Sequence, residues 1–350
     1  MAASPLILFG AFDRHNLGDI LLARVAETES ARQAPSRPTL LAGLTARDTA
    51  PGDHRPVRAI ADLARAWGDA PADVLHVGGE LLTCDLFQAA VMLQSPAEAD
   101  TAIARYADAT SAGMDWARRL TGLDQGLGYL VPKTLFRNPG RFEYRAVGGV
   151  DLAGLDPALH AEALVRLREA DALSVRDRVT RASLAAAGID AALEPDPVSR
   201  VPALFGERIR AHADAGEPAA VSVAFPRGYL AVQFAAEFGD DASLAILAGF
   251  LDARLAGTGL GLALFRAGAA PWHDDLAAYR RLTGLLGNRD VRLFRSLDVW
   301  DICALLSRAR SYCGTSLHGW ILSRAFAVDI LDFPLPARNA KLAAYRDTWG

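Results

Sequence analysis

Ser311–Val328 reads SYCGTSLHGWILSRAFAV and carries the clearest structural signal in the chain. An apolar run ending at Cys313 is followed by Gly314, and a second apolar run begins at Trp320. The pattern predicts a strand, a tight turn and a helix, with His318 in the first helical turn. Unpaired backbone N–H groups and the helix dipole attract anions there, so His318 could bind a phosphate or carboxylate, or move a proton near neutral pH. A histidine packed or hydrogen-bonded at a helix start explains this motif equally well.

The same pattern occurs at three earlier places. Residues 6–9, 74–77 and 171–175 are short apolar runs typical of strands. The turn after the first run holds Asn16, Gly18 and Asp19. The turn after the second holds Gly78 and Gly79, and a helix is predicted to start there at Glu80-Leu81-Leu82. The turn after the third holds Arg176 and Asp177. Because parallel strands end at one edge of their sheet, these turns predict a site built from several loops. Asp19 could equally cap its helix, and Arg176-Asp177 could be a local ion pair.

Two α/β halves are predicted from short Val/Leu/Ile-rich runs that alternate with amphipathic stretches. The first half has strands at 6–9, 39–42, 74–77, 144–150, 172–175 and 191–194, and helices at 59–67, 97–121 and 158–169. Pro195-Asp196-Pro197 marks the boundary. The second half has strands at 219–224, 261–265, 291–294 and 310–313, a long helical region at 230–255 broken near Gly239, and helices at 273–286, 298–307 and 317–327. Arg227 lies in the turn after the strand predicted at 219–224.

Composition and charge narrow the class of protein. The 350 residues are 51% hydrophobic and 22% charged, which suits a folded chain of about two domains. A net charge of −4 gives no general attraction to nucleic acid or to an acidic membrane. The three cysteines have no Cys-x-x-Cys spacing and indicate reduced, buried thiols in a cytoplasmic protein. No apolar run approaches the length of a transmembrane segment.

Two further signals favour ordinary structural roles. The glycine-rich 257–261 precedes its strand, whereas a dinucleotide fingerprint follows a strand and opens a helix, so a loop is predicted. His273-Asp274-Asp275 resembles a metal cluster, but acids at a helix start also cap it, and capping is favoured. No metal ion and no cofactor is expected.

Five motifs together resemble the polysaccharide pyruvyl transferase family. They are FGAFDRHNLGDILL at 9–22, VLHVGGELL at 74–82, ALSVRDRVTRASLAAAGI at 172–189, EPDPV at 194–198 and SYCGTSLHGWILSRAFAV at 311–328. The resemblance runs in order over most of the chain and is weakest between Asp85 and Gly140. It departs at Ser316, where the family usually has arginine, at Glu80, where a third glycine is common, and at Thr180, which replaces a serine.

The resemblance implies two Rossmann-like domains facing across a cleft, a GT-B-like arrangement. The domains are expected at 1–200, on the acceptor side, and 201–335, on the donor side, with a tail at 336–350 returning to the first. The expected bacterial enzyme transfers a pyruvyl group from phosphoenolpyruvate to hydroxyls of a sugar or glycan precursor in exopolysaccharide biosynthesis. His318 would be catalytic. Arg176, Arg227, Thr315, Ser316 and Leu317 would bind the donor, and Asn16, Gly18, Asp19, Gly78 and Gly79 would form the acceptor side or cleft wall.

Ser316 leaves alternatives open, because one hydroxyl cannot replace the charge and the N–H donors of an arginine. Another arginine could supply the charge; the candidates are Arg14, Arg227, Arg266 and Arg324. Otherwise the chain uses a different donor or acceptor, as a nucleotide-sugar glycosyltransferase or a small-molecule tailoring enzyme would, or it is a non-catalytic ligand-binding relative. Acceptor contacts are expected in 85–140, and the sequence gives no oligomeric state.

Overall fold

The chain folds into two α/β units in a computed structural model that describes residues 4–48, 55–106, 110–287, 289–336 and 340–350. The first unit comprises the chain up to Pro197 together with Ala343–Gly350, and the second is Val198–Leu342. Below, these units are called the first and second domains. None of the helices in the described residues has both the length and the apolar character needed to cross a membrane.

The first domain is built on one parallel sheet with the strand order β3-β2-β1-β4-β5-β6-β7. Its strands are β1 (Leu6–Phe9), β2 (Thr39–Gly43), β3 (Arg58–Ala59), β4 (Ala72–Val77), β5 (Pro139–Val147), β6 (Ala172–Val175) and β7 (Ala192–Leu193). Its helices are α1 (Leu17–Gln33), α2 (Ile60–Ala66), α3 (Leu86–Val91), α4 (Pro96–Tyr106), α5 (Thr110–Thr121), α6 (Pro157–Arg168) and α7 (Arg178–Ala186). The central strands are buried along most of their length, which explains their continuous apolar runs.

The second domain has a smaller parallel sheet with the order β10-β9-β8-β11-β12. Its strands are β8 (Tyr229–Gln233), β9 (Gly261–Leu264), β10 (Val291–Leu293), β11 (Ser311–Gly314) and β12 (Asp329–Leu331). The helices after the first domain are α8 (Val201–Ala213), α9 (Gly216–Ala224), α10 (Asp241–Leu255), α11 (Leu276–Leu285), α12 (Val299–Arg308), α13 (Leu317–Ala325) and α14 (Ala340–Trp349). The core of this domain packs around β8 and β9, with Leu230, Val232 and Leu264 fully or almost fully buried.

The strand predicted at 219–224 is wrong, because these residues belong to helix α9. Buried positions recur at Pro218, Val221 and Phe225, a spacing of three and four residues that is typical of a helix with one packed face. The first strand of the second domain is instead β8, which the prediction assigned to the start of a helix over 230–255. Gly228, with φ of +94°, makes the turn between α9 and β8.

Three boundaries in the first domain also differ from the prediction. The helix expected from Glu80 begins at Leu86, where the Asp85 carboxylate accepts the Gln88 N–H as an N-cap. The helix predicted over 97–121 appears as α4 and α5, and its residues 107–109 lie outside the described residues. The strand predicted over 144–150 is β5, which starts at Pro139 and ends at Val147, before the turn at Gly148.

Helix α14 completes the first domain after the chain has passed through the second. The Tyr345 hydroxyl accepts a hydrogen bond from the backbone N–H of Asp196 at 3.1 Å. The Trp349 indole N–H donates to the backbone carbonyl of Arg176 at 2.7 Å. These bonds hold the C-terminal helix against the ends of β6 and β7.

Candidate functional site

The carboxyl edge of the second sheet brings together the ends of β9, β8 and β11, which are neighbours. Gln233 ends β8 opposite Gly314, and Arg266 follows β9. Ser316 caps α13, since its Oγ accepts the Gly319 N–H at 3.1 Å. Gly314 is required in the turn because a Cβ there would overlap the Tyr312 hydroxyl and the Gln233 carbonyl. The strand-turn-helix predicted around His318 therefore lies at the expected edge of its sheet.

The side-chain amide of Gln233 organises this edge. Gln233 is only 2% exposed, and its Oε1 accepts the backbone N–H groups of Thr315 at 3.2 Å and Ser316 at 2.8 Å. Both groups are donors, so the amide is fixed with its Nε2 directed at Asp274 Oδ1, 2.8 Å away. The Thr315 hydroxyl is also engaged, as it accepts the Ala235 N–H at 3.0 Å. Thr315 thus contributes structure to the turn, in addition to any contact with a donor.

Asp274 anchors the loop that follows β9. Its Oδ2 accepts the backbone N–H groups of Ala267 at 2.6 Å and Gly268 at 3.3 Å. Burial raises the pKa of Asp274 to about 7, against the opposing effect of these hydrogen bonds and of the Arg266 charge. The sequence pattern favours capping for His273-Asp274-Asp275, and it is Asp275 that caps α11, by accepting the Ala277 N–H at 2.8 Å. Asp274 and Gln233 are the members of this edge that the sequence did not reveal.

Arg266 supplies the positive charge of this edge. The residue is half-buried, and in the described residues its Nε is buried without a hydrogen-bond partner. His318 is also half-buried in the first turn of α13, whereas Leu317 beside it is buried. A guanidinium, a hydroxyl and an imidazole on one strand-end edge can bind an oxyanion and move a proton.

Arg227 does not belong to this edge, and its predicted place at the carboxyl end of a strand is wrong. It precedes β8, because the apolar run before it is helix α9. β8 and β11 are parallel, with Leu230 opposite Ser311 and Gln233 opposite Gly314. Arg227 therefore lies by the amino end of β11, at the opposite edge of the sheet from Ser316 and His318.

In the first domain, the predicted turns after β1 and β4 do meet. The Asn16 side chain caps α1 by accepting the N–H groups of Gly18 at 3.0 Å and Asp19 at 3.4 Å. Asp19 Oδ1 then accepts the N–H of Gly79, next to Gly78, at 3.1 Å. The structure thus brings the five predicted acceptor-side residues together at the carboxyl edge of β1 and β4. These hydrogen bonds are structural, and they leave the binding role of the residues as a prediction.

Arg176 is held in an ion-pair network. Its guanidinium, in a residue 2% exposed, contacts Asp196 at 3.1 Å and Glu80 at 3.0 Å. Glu80 also accepts the Val150 N–H at 2.8 Å. Gly148 permits this approach, because a Cβ there would lie 2.6 Å from Glu80 Oε2. Two carboxylates account for the charge of Arg176 without a ligand.

The Thr180 hydroxyl links the start of α7 to the turn after β5. Its hydroxyl donates to Asp177 Oδ2 at 2.9 Å and accepts the Gly149 N–H at 3.0 Å. Asp177 Oδ1 accepts the Thr180 N–H at 2.7 Å and caps α7. A hydroxyl is what this position requires, and threonine supplies it.

One group in the described residues has the ligand types for a metal ion. Atoms of His212, Asp298 and Asp301 lie within 4.8 Å of one another. His212 Nδ1 is 2.7 Å from Asp301 Oδ1, and the Ser296 hydroxyl donates to Asp301 Oδ2 at 2.6 Å. These contacts join α8 to α12, and no local sequence pattern reveals the group because His212 and Asp301 are far apart in the chain.

Solved structures with the same fold define the class of this protein as a GT-B-like α/β protein. The S. aureus MnaA-UDP co-structure matches with a TM-score of 0.55 at 10% identity, covering 94% of this chain and 78% of that one. UDP-GlcNAc 2-epimerase from Methanocaldococcus jannaschii matches with 0.51 at 10%, covering 97% and 86%. A putative UDP-N-acetylglucosamine 2-epimerase from Listeria monocytogenes matches with 0.50 at 12%, covering 95% and 79%. At these identities the likeness shows the fold alone.

The family is shown by the sequence itself. The family model described as polysaccharide pyruvyl transferase matches residues 154–328, which is half of the chain. The chain therefore belongs to the polysaccharide pyruvyl transferase family and is a transferase of sugar-modifying type. No curated protein matches it significantly in sequence.

Proposed function

We propose that this chain transfers a pyruvyl group from phosphoenolpyruvate to two hydroxyls of a sugar or glycan precursor. The observation that carries the proposal is Arg266, a half-buried guanidinium at the strand-end edge that also holds Ser316 and His318. It can replace the arginine that the family usually has at Ser316, because it follows β9 at the same edge of the sheet, two strands away from β11, and a long guanidinium side chain can serve the same anion. In the proposal the second domain binds the donor and the first binds the acceptor.

The reaction has three chemical requirements: a cation for the donor, a general acid, and an acceptor for the protons of the attacking hydroxyls. The donor's phosphate and carboxylate need a cation, which is the proposed role of Arg266. The methylene carbon must gain a proton from a general acid, the proposed role of His318, so that C2 becomes electrophilic. The first acceptor oxygen bonds to C2 and returns its proton to His318. The second acceptor oxygen then displaces phosphate, which leaves with that hydroxyl's proton, and a ketal remains.

The remaining parts of the proposal concern the setting of the reaction. We place it in the cytoplasm, on a precursor of a bacterial exopolysaccharide. The free, buried thiols of Cys84, Cys303 and Cys313 support a reducing compartment.

Calorimetric titration of phosphoenolpyruvate tests the donor and its cation together. The natural protein should bind it, and Arg266→Met should weaken binding about a hundredfold, because a charge-assisted contact to an anion is lost. Arg227→Met is the matched control and should bind as the natural protein does. Release of phosphate and a new ketal methyl signal in NMR, with an acceptor present, would establish transfer. Equal affinity of the Arg266→Met variant, or no binding by the natural protein, contradicts the proposal.

A second donor class is favoured by one observation in the same loop. Trp272, between Arg266 and Asp274, is 50% exposed and has φ of +66°, a conformation that costs a non-glycine residue energy. An exposed indole suits stacking on a nucleobase or a sugar ring. A nucleotide-sugar donor would therefore bind with a Trp272-dependent affinity that Trp272→Ala abolishes, whereas phosphoenolpyruvate would bind both forms alike.

A further inference from the structure

Arg14 is a half-buried arginine without a carboxylate partner. It follows β1 at the carboxyl edge of the first sheet, and its Nη1 donates to Met92 Sδ at 3.0 Å. Its Cζ lies 5.6 Å from the centre of the Tyr129 ring. Among the described residues no carboxylate is within ion-pair distance of its guanidinium, and its buried Nε makes no hydrogen bond. Arg176, at the same edge of the sheet, forms ion pairs with two carboxylates, and Arg14 differs from it in this respect.

Tyr129 presents a second unsatisfied polar group beside it. The residue is 0% exposed, and in the described part of the chain its hydroxyl has no hydrogen-bond partner. Buried tyrosine hydroxyls usually find one, since leaving the group unpaired costs free energy. A buried hydroxyl and a buried guanidinium Nε, both unpartnered and in contact through the ring, indicate a place prepared for a ligand.

The acids nearby are already committed to other bonds. Asp13 Oδ2 accepts the Thr45 backbone N–H at 2.8 Å and its hydroxyl at 3.2 Å, and burial raises the pKa of Asp13. Asp19 Oδ1 accepts the Gly79 N–H. The charges of Asp13 and Asp19 act on the guanidinium from a distance, but neither carboxylate forms a contact ion pair with it, so its Nε is left for another acceptor.

We infer that Arg14 and Tyr129 form a subsite for a carboxylate or phosphate carried by the acceptor. Nη1 is occupied by the thioether of Met92, which leaves the Nε edge of the guanidinium for an oxyanion, with the Tyr129 hydroxyl as an added donor. This inference deepens the proposed function, and its assignment of the subsite to the acceptor rests on that function. The acceptor is then an acidic sugar or a sugar phosphate rather than a neutral sugar.

The test uses the full chain and three probes: glucuronate, inorganic phosphate and neutral glucose. Glucuronate or phosphate should bind, and glucose should bind at least about tenfold more weakly. Arg14→Met, which matches the adjacent thioether in character, should lower the oxyanion affinity about tenfold or more, and Tyr129→Phe should lower it a few-fold. Arg65→Met, a change at an exposed arginine of α2, is the control and should leave the affinity unchanged.

Thermal unfolding without ligand separates a binding role from a structural one. Arg14→Met removes a buried charge that makes no contact ion pair, so its unfolding temperature should stay close to that of the natural protein or exceed it. Oxyanion should then stabilise the natural protein but not the variant. A markedly lower unfolding temperature for Arg14→Met, with unchanged oxyanion affinity, overturns the inference, as does the absence of oxyanion binding up to about 10 mM.

Arg266→Met distinguishes this inference from the proposed function. It should weaken phosphoenolpyruvate binding about a hundredfold and leave glucuronate or phosphate binding at Arg14 unchanged. Arg14-dependent oxyanion binding without any phosphoenolpyruvate binding would refute the proposed function and uphold the subsite. Phosphoenolpyruvate binding that depends on Arg14 rather than Arg266 would assign the subsite to the donor and overturn the inference.

Discussion

The carboxyl edge of the first sheet and that of the second carry similar strand-turn-helix motifs but use their charged residues differently. In the first domain, Arg176 is 2% exposed and lies between Glu80 and Asp196. In the second, Arg266 is half-buried, and an uncharged amide, Gln233, holds the turn at Ser316. The same type of motif thus builds an internal ion network in one domain and, in the other, an edge with a half-buried arginine whose Nε has no hydrogen-bond partner in the described residues.

The difference shows that an arginine after a strand is not by itself a ligand-binding residue. Its function depends on whether neighbouring carboxylates already neutralise it. Buried ion pairs contribute little net stability, yet removing one member leaves a costly buried charge. Substitution of the paired arginine in the first domain should therefore change stability, whereas substitution of the half-buried arginine in the second should change ligand binding.

Arg176→Met should have the largest effect, a loss of roughly 3–5 kcal/mol in the free energy of unfolding, because it breaks a buried ion network and removes the guanidinium that contacts both Asp196 and Glu80. Denaturant unfolding measures it. Arg181→Met, at an exposed position of α7, is the control and should change the free energy by less than about 0.5 kcal/mol. A loss below about 1 kcal/mol for Arg176→Met would mean that the network is not structural.

His318→Ala should leave the fold intact but lower turnover about a hundredfold or more, which is the contribution expected of a proton donor. His318→Gln keeps a hydrogen-bonding side chain but cannot deliver a proton, so it should be nearly as slow while still binding the donor. Steady-state turnover together with donor titration checks both variants. Natural turnover in both would remove His318 from the mechanism.

His76 makes the first domain less stable in acid. Burial lowers its pKa to about 3, against the raising effect of its 3.2 Å contact with the Glu143 carbonyl. The unfolded chain binds this proton below its ordinary pKa of 6.5, so the free energy of unfolding should fall as pH decreases from 6.5, by up to about 1.4 kcal/mol per unit. His76→Phe, which keeps a ring against Tyr144, should remove this slope between about pH 6.5 and 5. An unchanged slope contradicts the assignment.

Asp274 should give the second domain the opposite dependence. Its pKa is raised to about 7, so the folded domain keeps a proton that the unfolded chain has already lost above 3.8. The contribution of Asp274 to the free energy of unfolding is fully present below pH 3.8. It is lost as pH rises towards 7, at up to about 1.4 kcal/mol per pH unit. Asp274→Asn should flatten this slope in unfolding curves of the second domain. It should also weaken donor binding, because its amide nitrogen would face the Gln233 amide.

Ser316→Arg should have the smallest effect. It removes the N-cap of α13, which costs about 1 kcal/mol of stability. Donor affinity should change less than about threefold if Arg266 already supplies the charge. Thermal unfolding and donor titration measure the two effects. A tenfold gain in affinity would show that Arg266 does not replace the family's arginine.

The fold class and the family were predictable because alternating apolar runs and ordered turn motifs are local in sequence. Both predictions are confirmed. The error at 219–224 arose because an Ala- and Val-rich run satisfies either a strand or a helix, and only its packed face at Pro218, Val221 and Phe225 separates them. That error displaced Arg227 to the wrong edge of the sheet.

The members of the candidate site were predictable only in part. His318 and Ser316 lie in a contiguous motif, whereas Gln233 and Asp274 meet them through strands that are distant in sequence. Glu80 appeared as a departure from the family, but its carboxylate is one of the partners of Arg176. Pairings between distant residues decide which charges are free, and no local pattern encodes them. The catalytic and binding roles remain predictions.

The return of α14 to the first domain imposes an order on biosynthesis. The backbone N–H of Asp196 meets its acceptor, Tyr345, 149 residues later in the chain, and the carbonyl of Arg176 meets Trp349 173 residues later. A ribosome therefore releases the whole second domain before the first can satisfy these groups. Until α14 has been made, the first domain lacks the two hydrogen bonds that this helix supplies to the ends of β6 and β7.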